Sequence, residues 1–241
     1  MIERIEASCR RVGRDAAEVT VVAVTKTVAP ERIRAALDAG LDTFGENRVQ
    51  EALAKMSDVP GARWHLVGPL QSNKARRAIA AFDVIETVDG VELARRLDRL
   101  VDEERPGERM PALLQVNVDR DPAKGGFDPD VLVGAVGEIL ELRRLEVRGL
   151  MTVGRLVPDA EDARPTFRAL RELSERLRAR HAGLGPELSM GMTDDFEVAI
   201  EEGATSVRIG RAIFGERPHE HAPDEPPHDH DGAGQGGSRR H

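Results

Sequence analysis

The stretch Val21-Val22-Ala23-Val24-Thr25-Lys26 decides the fold, because it is a short apolar run that ends in a charged residue. A continuous apolar run of this length is typical of a strand buried on both faces, as in a parallel sheet. Seven further runs of strand length follow it along the chain. The eight predicted strands are residues 20–25, 43–45, 63–68, 83–87, 112–118, 146–152, 187–190 and 206–209.

Segments with helical periodicity separate these strands, and some carry start or stop signals. Pro30 suits a first helical turn, and Gly40 and Gly203 suit C-terminal caps. The strand–helix alternation predicts an α/β protein that closes into a single-domain (β/α)8 TIM barrel. An open doubly wound sheet is the main alternative, but residues 24–28 lack its usual glycine-rich loop. The predicted helices are residues 30–39, 47–56, 72–81, 91–104, 129–142, 161–180 and 194–202.

Composition limits the class of protein. The 241 residues carry a net charge of −8, which argues against non-specific binding to nucleic acid or to an anionic membrane. No apolar run approaches the ~20 residues that span a bilayer, and the N-terminus lacks a signal-peptide core, so we expect a cytoplasmic protein. The single cysteine, Cys9, excludes an internal disulfide framework.

Two regions differ in composition, and we expect a boundary between them. Residues 1–216 form the predicted barrel, and residues 217–241 are rich in His, Pro and Gly, which predicts a disordered tail. Histidine pairs in the tail could bind a divalent metal weakly, but a solvated low-complexity tail explains them better.

Lys26 is the first candidate for chemistry. The chain holds four lysines and meets most of its need for positive charge with arginine. A lysine amine can lose its proton and attack a carbonyl, which arginine cannot do. On position alone, a strand-end lysine that extends to solvent is the simpler interpretation.

The last two strand ends indicate a phosphate site, because the loops after strands seven and eight bind phosphate in many barrels. Ser189, Gly191 and Thr193 offer two hydroxyls and an open backbone amide just before a helix, and Gly210 lets the backbone come close to a ligand. A phosphate site facing Lys26 suggests pyridoxal 5′-phosphate (PLP), held as a Schiff base. By alternation, Arg208 can point toward the ring nitrogen; an ion pair with Glu86 is the alternative.

Six segments in the same order resemble the YggS-like pyridoxal phosphate homeostasis proteins, which share the barrel of the N-terminal domain of alanine racemase. The resemblance covers about residues 5 to 216 and implies a fold-type III barrel without a C-terminal β-domain. The matching motifs are Ala23-Val24-Thr25-Lys26-Thr27, Phe44-Gly45-Glu46-Asn47, Trp64-His65-Leu66-Val67-Gly68-Pro69-Leu70-Gln71-Ser72-Asn73-Lys74, Arg148-Gly149-Leu150-Met151, Ser189-Met190-Gly191-Met192-Thr193-Asp194-Asp195 and Val207-Arg208-Ile209-Gly210.

The resemblance also implies roles for single residues. Lys26 would form the Schiff base, and Arg208 would contact the pyridine nitrogen. The expected phosphate contacts come from Ser189, Thr193, Gly210 and the amide of Arg211, and the expected ring-lining residues are Asn47, His65 and Met151. Gly191 and Met192 complete the predicted cofactor site. Lys124 resembles part of a basic loop that handles cofactor at a second site in the family; a plain surface loop is the alternative.

The absence of tyrosine bears on activity. A racemase of the alanine racemase type uses a tyrosine from a second domain, whereas this chain contains no tyrosine and we expect no room for such a domain before the predicted tail. We therefore expect a non-catalytic, monomeric PLP carrier or buffer whose partners are apo-enzymes that require PLP. Two alternatives stay open: a racemase that uses water, His65 or Lys124 as its second base, and a barrel that binds another phosphorylated metabolite with Lys26 structural.

Overall fold

Eight parallel strands close into a barrel in the computed structural model, which describes residues 1–155 and 157–215. The strands neighbour one another in chain order, and β1 pairs with β8, so that Val22 lies opposite Arg208. The predicted (β/α)8 architecture is thereby confirmed, and the predicted tail lies outside the described residues. The strands are β1 Thr20–Val24, β2 Thr43–Glu46, β3 Arg63–Leu66, β4 Val84–Val88, β5 Met110–Gln115, β6 Leu145–Met151, β7 Glu187–Met192 and β8 Ser206–Ile209.

Nine α-helices surround the barrel within the described residues, two more than the periodicity predicts. The additions are the N-terminal α1 and the single turn α9 after β8. Most boundaries agree with the prediction to within two or three residues. The helices are α1 Ile2–Arg11, α2 Pro30–Asp38, α3 Val49–Met56, α4 Ala75–Ala81, α5 Val91–Glu104, α6 Pro129–Leu140, α7 Arg164–Arg178, α8 Phe196–Glu201 and α9 Arg211–Phe214.

The main core lies between the strands and the helices. Outward-facing side chains such as Phe44 and Trp64, whose ring centroids are 5.6 Å apart, belong to one continuous apolar cluster. Val22 and Leu113 are just as buried but stand outside that cluster, because they face the barrel interior. That interior also holds charged and hydroxyl side chains, and these position the site.

The pairing register shifts in three strand pairs, β4/β5, β5/β6 and β7/β8, and each shift changes which residues face inward. Between β7 and β8 the register runs from Ser189 opposite Ser206 to Met192 opposite Arg208, so β7 carries one extra residue. Gly191 lies within this bulge with φ +90°. A second shift separates β5 from β6 beside Gly149. Bulges of this kind re-aim side chains near functional sites.

The predicted fifth strand ends early, because the chain turns at Asn117. The amide of Asn117 donates to the carbonyls of Asp121 and Lys124, and its own backbone N–H bonds to Phe127. These bonds replace the ladder that a strand continuing to Val118 would need.

Candidate functional site

Lys26 lies at the carboxyl end of β1, one residue after the buried Thr25. The Thr25 hydroxyl turns outward and donates to Glu46 Oε1 at 2.7 Å. Val22 and Val24 face inward along β1, and the same alternation continued past the strand end would direct Lys26 inward as well. Lys26 itself is half-buried, in the turn that follows β1 at the mouth of the barrel.

The turn that carries Lys26 is strained. Thr27 has φ +63°, and the N–H of Val28 bonds back to the carbonyl of Thr25 at 2.9 Å, which closes the turn around Lys26. A β-branched residue rarely adopts this left-handed conformation, and such strain costs about 1–3 kcal/mol. The surrounding contacts must hold the turn in place.

A buried ion pair supplies that support from outside the barrel. Lys55 of α3 donates to the carbonyl of Thr25 at 2.8 Å and to Glu46 Oε1 at 2.7 Å. The Glu46 side chain is 0% exposed and that of Lys55 is 12% exposed. The second Glu46 oxygen, Oε2, makes no hydrogen bond in the described part of the chain. The pair fixes the peptide immediately before Lys26.

Arg208 lies in the barrel interior, at the end of a chain of hydrogen bonds. Its Nη1 donates to Ser189 Oγ at 2.6 Å, and its Nη2 donates to the carbonyl of Thr152 at 2.7 Å. Ser189 in turn donates to Glu86 Oε2 at 2.6 Å, and Glu86 Oε1 lies 2.6 Å from His65 Nδ1. We refer to His65, Glu86, Ser189 and Arg208 as the interior chain.

The interior chain shifts the pKa values of Glu86 and Arg208. Burial opposes the charge of Glu86, but the hydrogen bond and charge of His65, the charge of Arg208 and the Ser189 hydroxyl together hold the pKa of Glu86 below its usual range. Burial lowers the pKa of Arg208, and the charges of Glu86 and Asp195 oppose that shift. An arginine in a protein nevertheless stays protonated, so the interior holds a fixed guanidinium with a carboxylate near it.

The loops after β7 and β8 meet at the same mouth. Asp195 Oδ1 accepts the backbone N–H of Met192 at 2.6 Å, so that amide is already bonded within the protein. Burial raises the pKa of Asp195, which the Met192 amide and the charge of Arg208 counteract. The hydroxyl of Thr193 makes no hydrogen bond in the described part of the chain, and Arg211 pairs with Asp194 across the two loops.

Gly191 in β7 and Gly210 just after β8 lack a side chain for different physical reasons. A Cβ on Gly191 would lie 2.5 Å from the Cβ of Ala199 and 3.0 Å from the Cα of Phe196, so Gly191 lets α8 pack against the strand end. A Cβ on Gly210 would only contact Val24, at 3.4 Å or more, so space stays open there. Of the two, Gly210 leaves room for a ligand.

Four of the predicted site residues occupy places that differ from the expectation. Ser189 is fully buried, and its hydroxyl donates to Glu86 and accepts from Arg208 within the protein. His65 lines a cavity at the amino end of the barrel, opposite Lys26, instead of the mouth. The Met192 amide is taken by Asp195, and Gly191 serves the packing of α8.

The remaining candidates lie near the carboxyl end of the barrel. Met151 is fully buried at the end of β6, and it stands outside the main apolar cluster that contains its neighbour Leu150. Asn47 follows β2, and its backbone lies so close to Gly68 that a Cβ there would be 2.4 Å from the Asn47 oxygen. Lys124 Nζ donates to the carbonyls of Val153 and Gly154, which ties the loop after β5 to the loop after β6.

Sequence reasoning missed how two glutamates contribute. Glu86, the alternative partner of Arg208, lies inside the barrel and reaches Arg208 through Ser189 rather than by a direct ion pair. Glu46, at the end of β2, faces α3 and binds Lys55 instead of facing the mouth. Strict alternation along β2 could have revealed the outward direction of Glu46; no local signal reveals the contact between β4 and β7.

Two further features of the described residues concern metal ligands and helix length. They contain no cluster of three or more His, Cys, Asp or Glu side chains placed to hold a metal ion. Among the helices of the described ranges, none is both long enough and apolar enough to cross a membrane.

Comparison with known proteins places this barrel in a family. The family model for the N-terminal domain of alanine racemase matches residues 2–218. A "pyridoxal phosphate homeostasis protein" of Aquifex aeolicus is 41% identical over 90% of this chain and 95% of its own length. A protein of the same name from Pseudomonas aeruginosa is 42% identical over 89% of this chain and 91% of its own length.

Solved structures of related proteins are similar to this barrel as well. PipY of Synechococcus elongatus PCC7942, with PLP bound, has a TM-score of 0.77 and 39% identity over 89% of this chain and 100% of its own. An alanine racemase of Clostridium difficile 630 has a TM-score of 0.71 at 14% identity over 91% of this chain and 60% of its own, which shows the shared fold alone. The chain belongs to the family of pyridoxal phosphate homeostasis proteins, within the alanine racemase N-terminal domain family.

Proposed function

We propose that this protein binds PLP at the carboxyl end of the barrel, with Lys26 as the Schiff-base lysine, and serves PLP homeostasis. The observation that carries the proposal is that Lys26 follows β1 at the mouth of the barrel, and that β1 pairs with β8, whose Arg208 lies in the barrel interior. When bound, PLP supplies an aldehyde that condenses with a lysine amine and a pyridine ring whose electronics depend on its nitrogen partner. The PLP-bound PipY structure supports the choice of cofactor.

The donor set fits this cofactor. The strained turn at Thr27 and the Lys55–Glu46 pair hold Lys26 in one place, which favours a reaction at its amine. Arg208 cannot give up its proton, so in this proposal it donates to the pyridine nitrogen and keeps that nitrogen unprotonated. The ring is then a poorer electron sink than one paired with a carboxylate.

The phosphate is assigned to the mouth between β7 and β8. The Thr193 hydroxyl has no protein partner in the described ranges, Gly210 leaves the backbone open, and Arg211 begins α9 with its amide unused by the helix. We propose Thr193 and the amides of Gly210 and Arg211 as phosphate contacts. Asn47 and Met151 are proposed to line the ring.

We propose a carrier or buffer of PLP rather than a catalyst, with PLP-requiring apo-enzymes as recipients and a monomer as the working unit. The relatives are named for homeostasis, and the chain contains no tyrosine to act as a second base. The two other bases are engaged elsewhere: His65 is 2.6 Å from Glu86, and Lys124 is bonded to two carbonyls. Neither arrangement favours a racemase.

The test is covalent labelling. Purified protein saturated with PLP is expected to show a near-visible absorbance band, and borohydride should add one reduced cofactor that peptide mapping locates at Lys26. Lys26→Ala should abolish the band and the mass increase, whereas the matched control Lys74→Ala should retain both. Labelling of another amine, or a colourless protein, would overturn the proposal.

A second measurement addresses catalysis. The PLP-loaded protein is incubated with amino acids in deuterated water, and α-hydrogen exchange is followed by NMR. A carrier should exchange no faster than free PLP does at the same concentration. Rapid exchange that disappears in Lys26→Ala would establish an enzyme instead.

A further inference from the structure

The interior chain joins the cofactor site to the opposite end of the barrel, and this connection has a consequence for Arg208. We propose that Glu86 is a positioning residue, which fixes the guanidinium of Arg208 through the hydroxyl of Ser189, and that His65 in turn fixes Glu86. The proposal rests on the assignment of Arg208 to the cofactor ring and extends it to three residues that the cofactor does not touch.

One arrangement of hydrogen atoms satisfies every donor and acceptor along the interior chain. Arg208 can only donate, so Ser189 Oγ accepts from Nη1 at 2.6 Å. The single hydroxyl hydrogen of Ser189 is then directed at Glu86 Oε2, also at 2.6 Å. Glu86 is left to accept at both oxygens, which requires the carboxylate form and a donating Nδ1–H on His65 at 2.6 Å.

Because these side chains are buried, the loss of one of their hydrogen bonds is costly. The side chain of Glu86 is 1% exposed, and Ser189 and Arg208 are 0% and 5% exposed. In so dry a site, charge-assisted hydrogen bonds are strong and unmade bonds are costly. The lowered pKa of Glu86 agrees with a carboxylate that is retained as the counter-charge of Arg208.

Two bonds leave Arg208 little freedom. Its Nη1 is held by Ser189 and its Nη2 by the carbonyl of Thr152 at 2.7 Å, so the plane of the guanidinium is defined by two strands, β7 and the end of β6. Loss of the Glu86 carboxylate would remove both the acceptor that orients the Ser189 hydroxyl and a buried negative charge that acts on Arg208. Arg208 would then meet the ring nitrogen at a less favourable angle.

His65 is the member of the chain that reaches solvent. Its side chain is 12% exposed, and with Glu86 it lines a cavity of about 220 Å³ at the amino end of the barrel. The cavity is also lined by Thr20, Arg63 and Ser206, which begin or flank their strands. A change at His65 can thus be made far from the cofactor and still act on Arg208.

The experiment compares His65→Ala with His65→Asn in the full-length protein loaded with PLP. Asparagine places an amide donor near the position of Nδ1, whereas alanine removes the donor. We expect His65→Ala to shift the absorbance maximum of the bound cofactor and to weaken PLP affinity by roughly 10-fold, a coupling of the size that contacting groups show. His65→Asn should restore both values toward the wild type.

A double-mutant cycle tests whether the effect passes through Arg208. Glu86→Gln alone should shift the absorbance maximum and weaken the PLP affinity. In an Arg208→Gln background, the same substitution should leave the absorbance maximum in place and change the affinity by no more than about 2-fold. Should either Glu86→Gln or Arg208→Gln fail to fold, the His65 pair and Ser189→Ala decide the question.

The outcomes separate this inference from the proposed function. A shift in spectrum and affinity that asparagine rescues supports positioning through the interior chain. If His65→Ala lowers only the thermal stability of the PLP-free protein, with spectrum and affinity unchanged, the interior chain is structural and the inference is wrong. A wild-type protein that shows no cofactor band at all would instead refute the proposed function.

Discussion

Loss of Lys55 should destabilise the protein far more than its place on a surface helix suggests. Its ammonium lies 2.7 Å from Glu46 Oε1, and the Glu46 side chain is 0% exposed. Lys55→Met roughly keeps the length of the aliphatic stem but removes the ammonium, so the buried Glu46 carboxylate loses its cation. Removing one partner of a buried pair costs about 3–5 kcal/mol.

The double variant Lys55→Met/Glu46→Met should recover most of that loss. Replacing both partners of a buried ion pair by apolar residues is often close to neutral. The Thr25 hydroxyl, which now donates to Glu46, retains a second acceptor in the carbonyl of Gly45 at 3.3 Å. We therefore expect the double variant to be more stable than the Lys55→Met single variant by about 2 kcal/mol or more.

Equilibrium unfolding in urea measures these differences as changes in the free energy of unfolding. Lys74→Met is the matched control, since Lys74 makes no ion pair in the described ranges, and it should change the free energy by less than about 0.5 kcal/mol. The reasoning is refuted if Lys55→Met costs less than about 1 kcal/mol, or if the double variant is no more stable than the single one.

Two further predictions concern stability. Gly191→Ala should lower the free energy of unfolding in urea by about 2–4 kcal/mol, because a side chain there would combine φ +90° with a clash against α8. The control Gly134→Ala, in an open helical position, should raise the free energy of unfolding by about 0.5–1 kcal/mol. Equal effects of the two substitutions would contradict this argument. Burial alone would raise the pKa of Glu202, but hydrogen bonds from arginines of α7 hold it below the usual range. A depressed pKa contributes stability above the ordinary glutamate range that is lost as the pH falls through the folded value. Glu202→Gln should therefore be less stable at neutral pH and lose less stability on acidification, and an unchanged slope in a pH series of urea unfolding would count against the network.

Much of the fold could be predicted because its determinants are local. Each apolar run is short enough to be a strand, and each intervening segment has helical periodicity, so the barrel follows from the count and the order of the elements. Lys26 and Arg208 could be selected for the same reason, since each is a charged residue in or directly after a buried strand. The N-terminal helix α1 is amphipathic in the sequence as well, and the structure gives its bounds as Ile2–Arg11.

The bulges could not be predicted, and they account for some of the changed assignments. The extra residue in β7 sets Gly191 against α8, and the Met192 amide there bonds to Asp195. Nothing in the residues of β7 alone indicates where the ladder to β8 will slip, because register depends on both strands.

The sequence by itself determined the barrel, the inward side of each regular strand and the two charged residues that the proposed cofactor requires. Only the tertiary structure decided that His65, Glu86, Ser189 and Arg208 form one chain of hydrogen bonds, because Glu86 and Ser189 stand 103 positions apart and meet only when the barrel closes. Periodicity reports which way a side chain faces; which side chains share a dry interior depends on how the strands pair and where they slip.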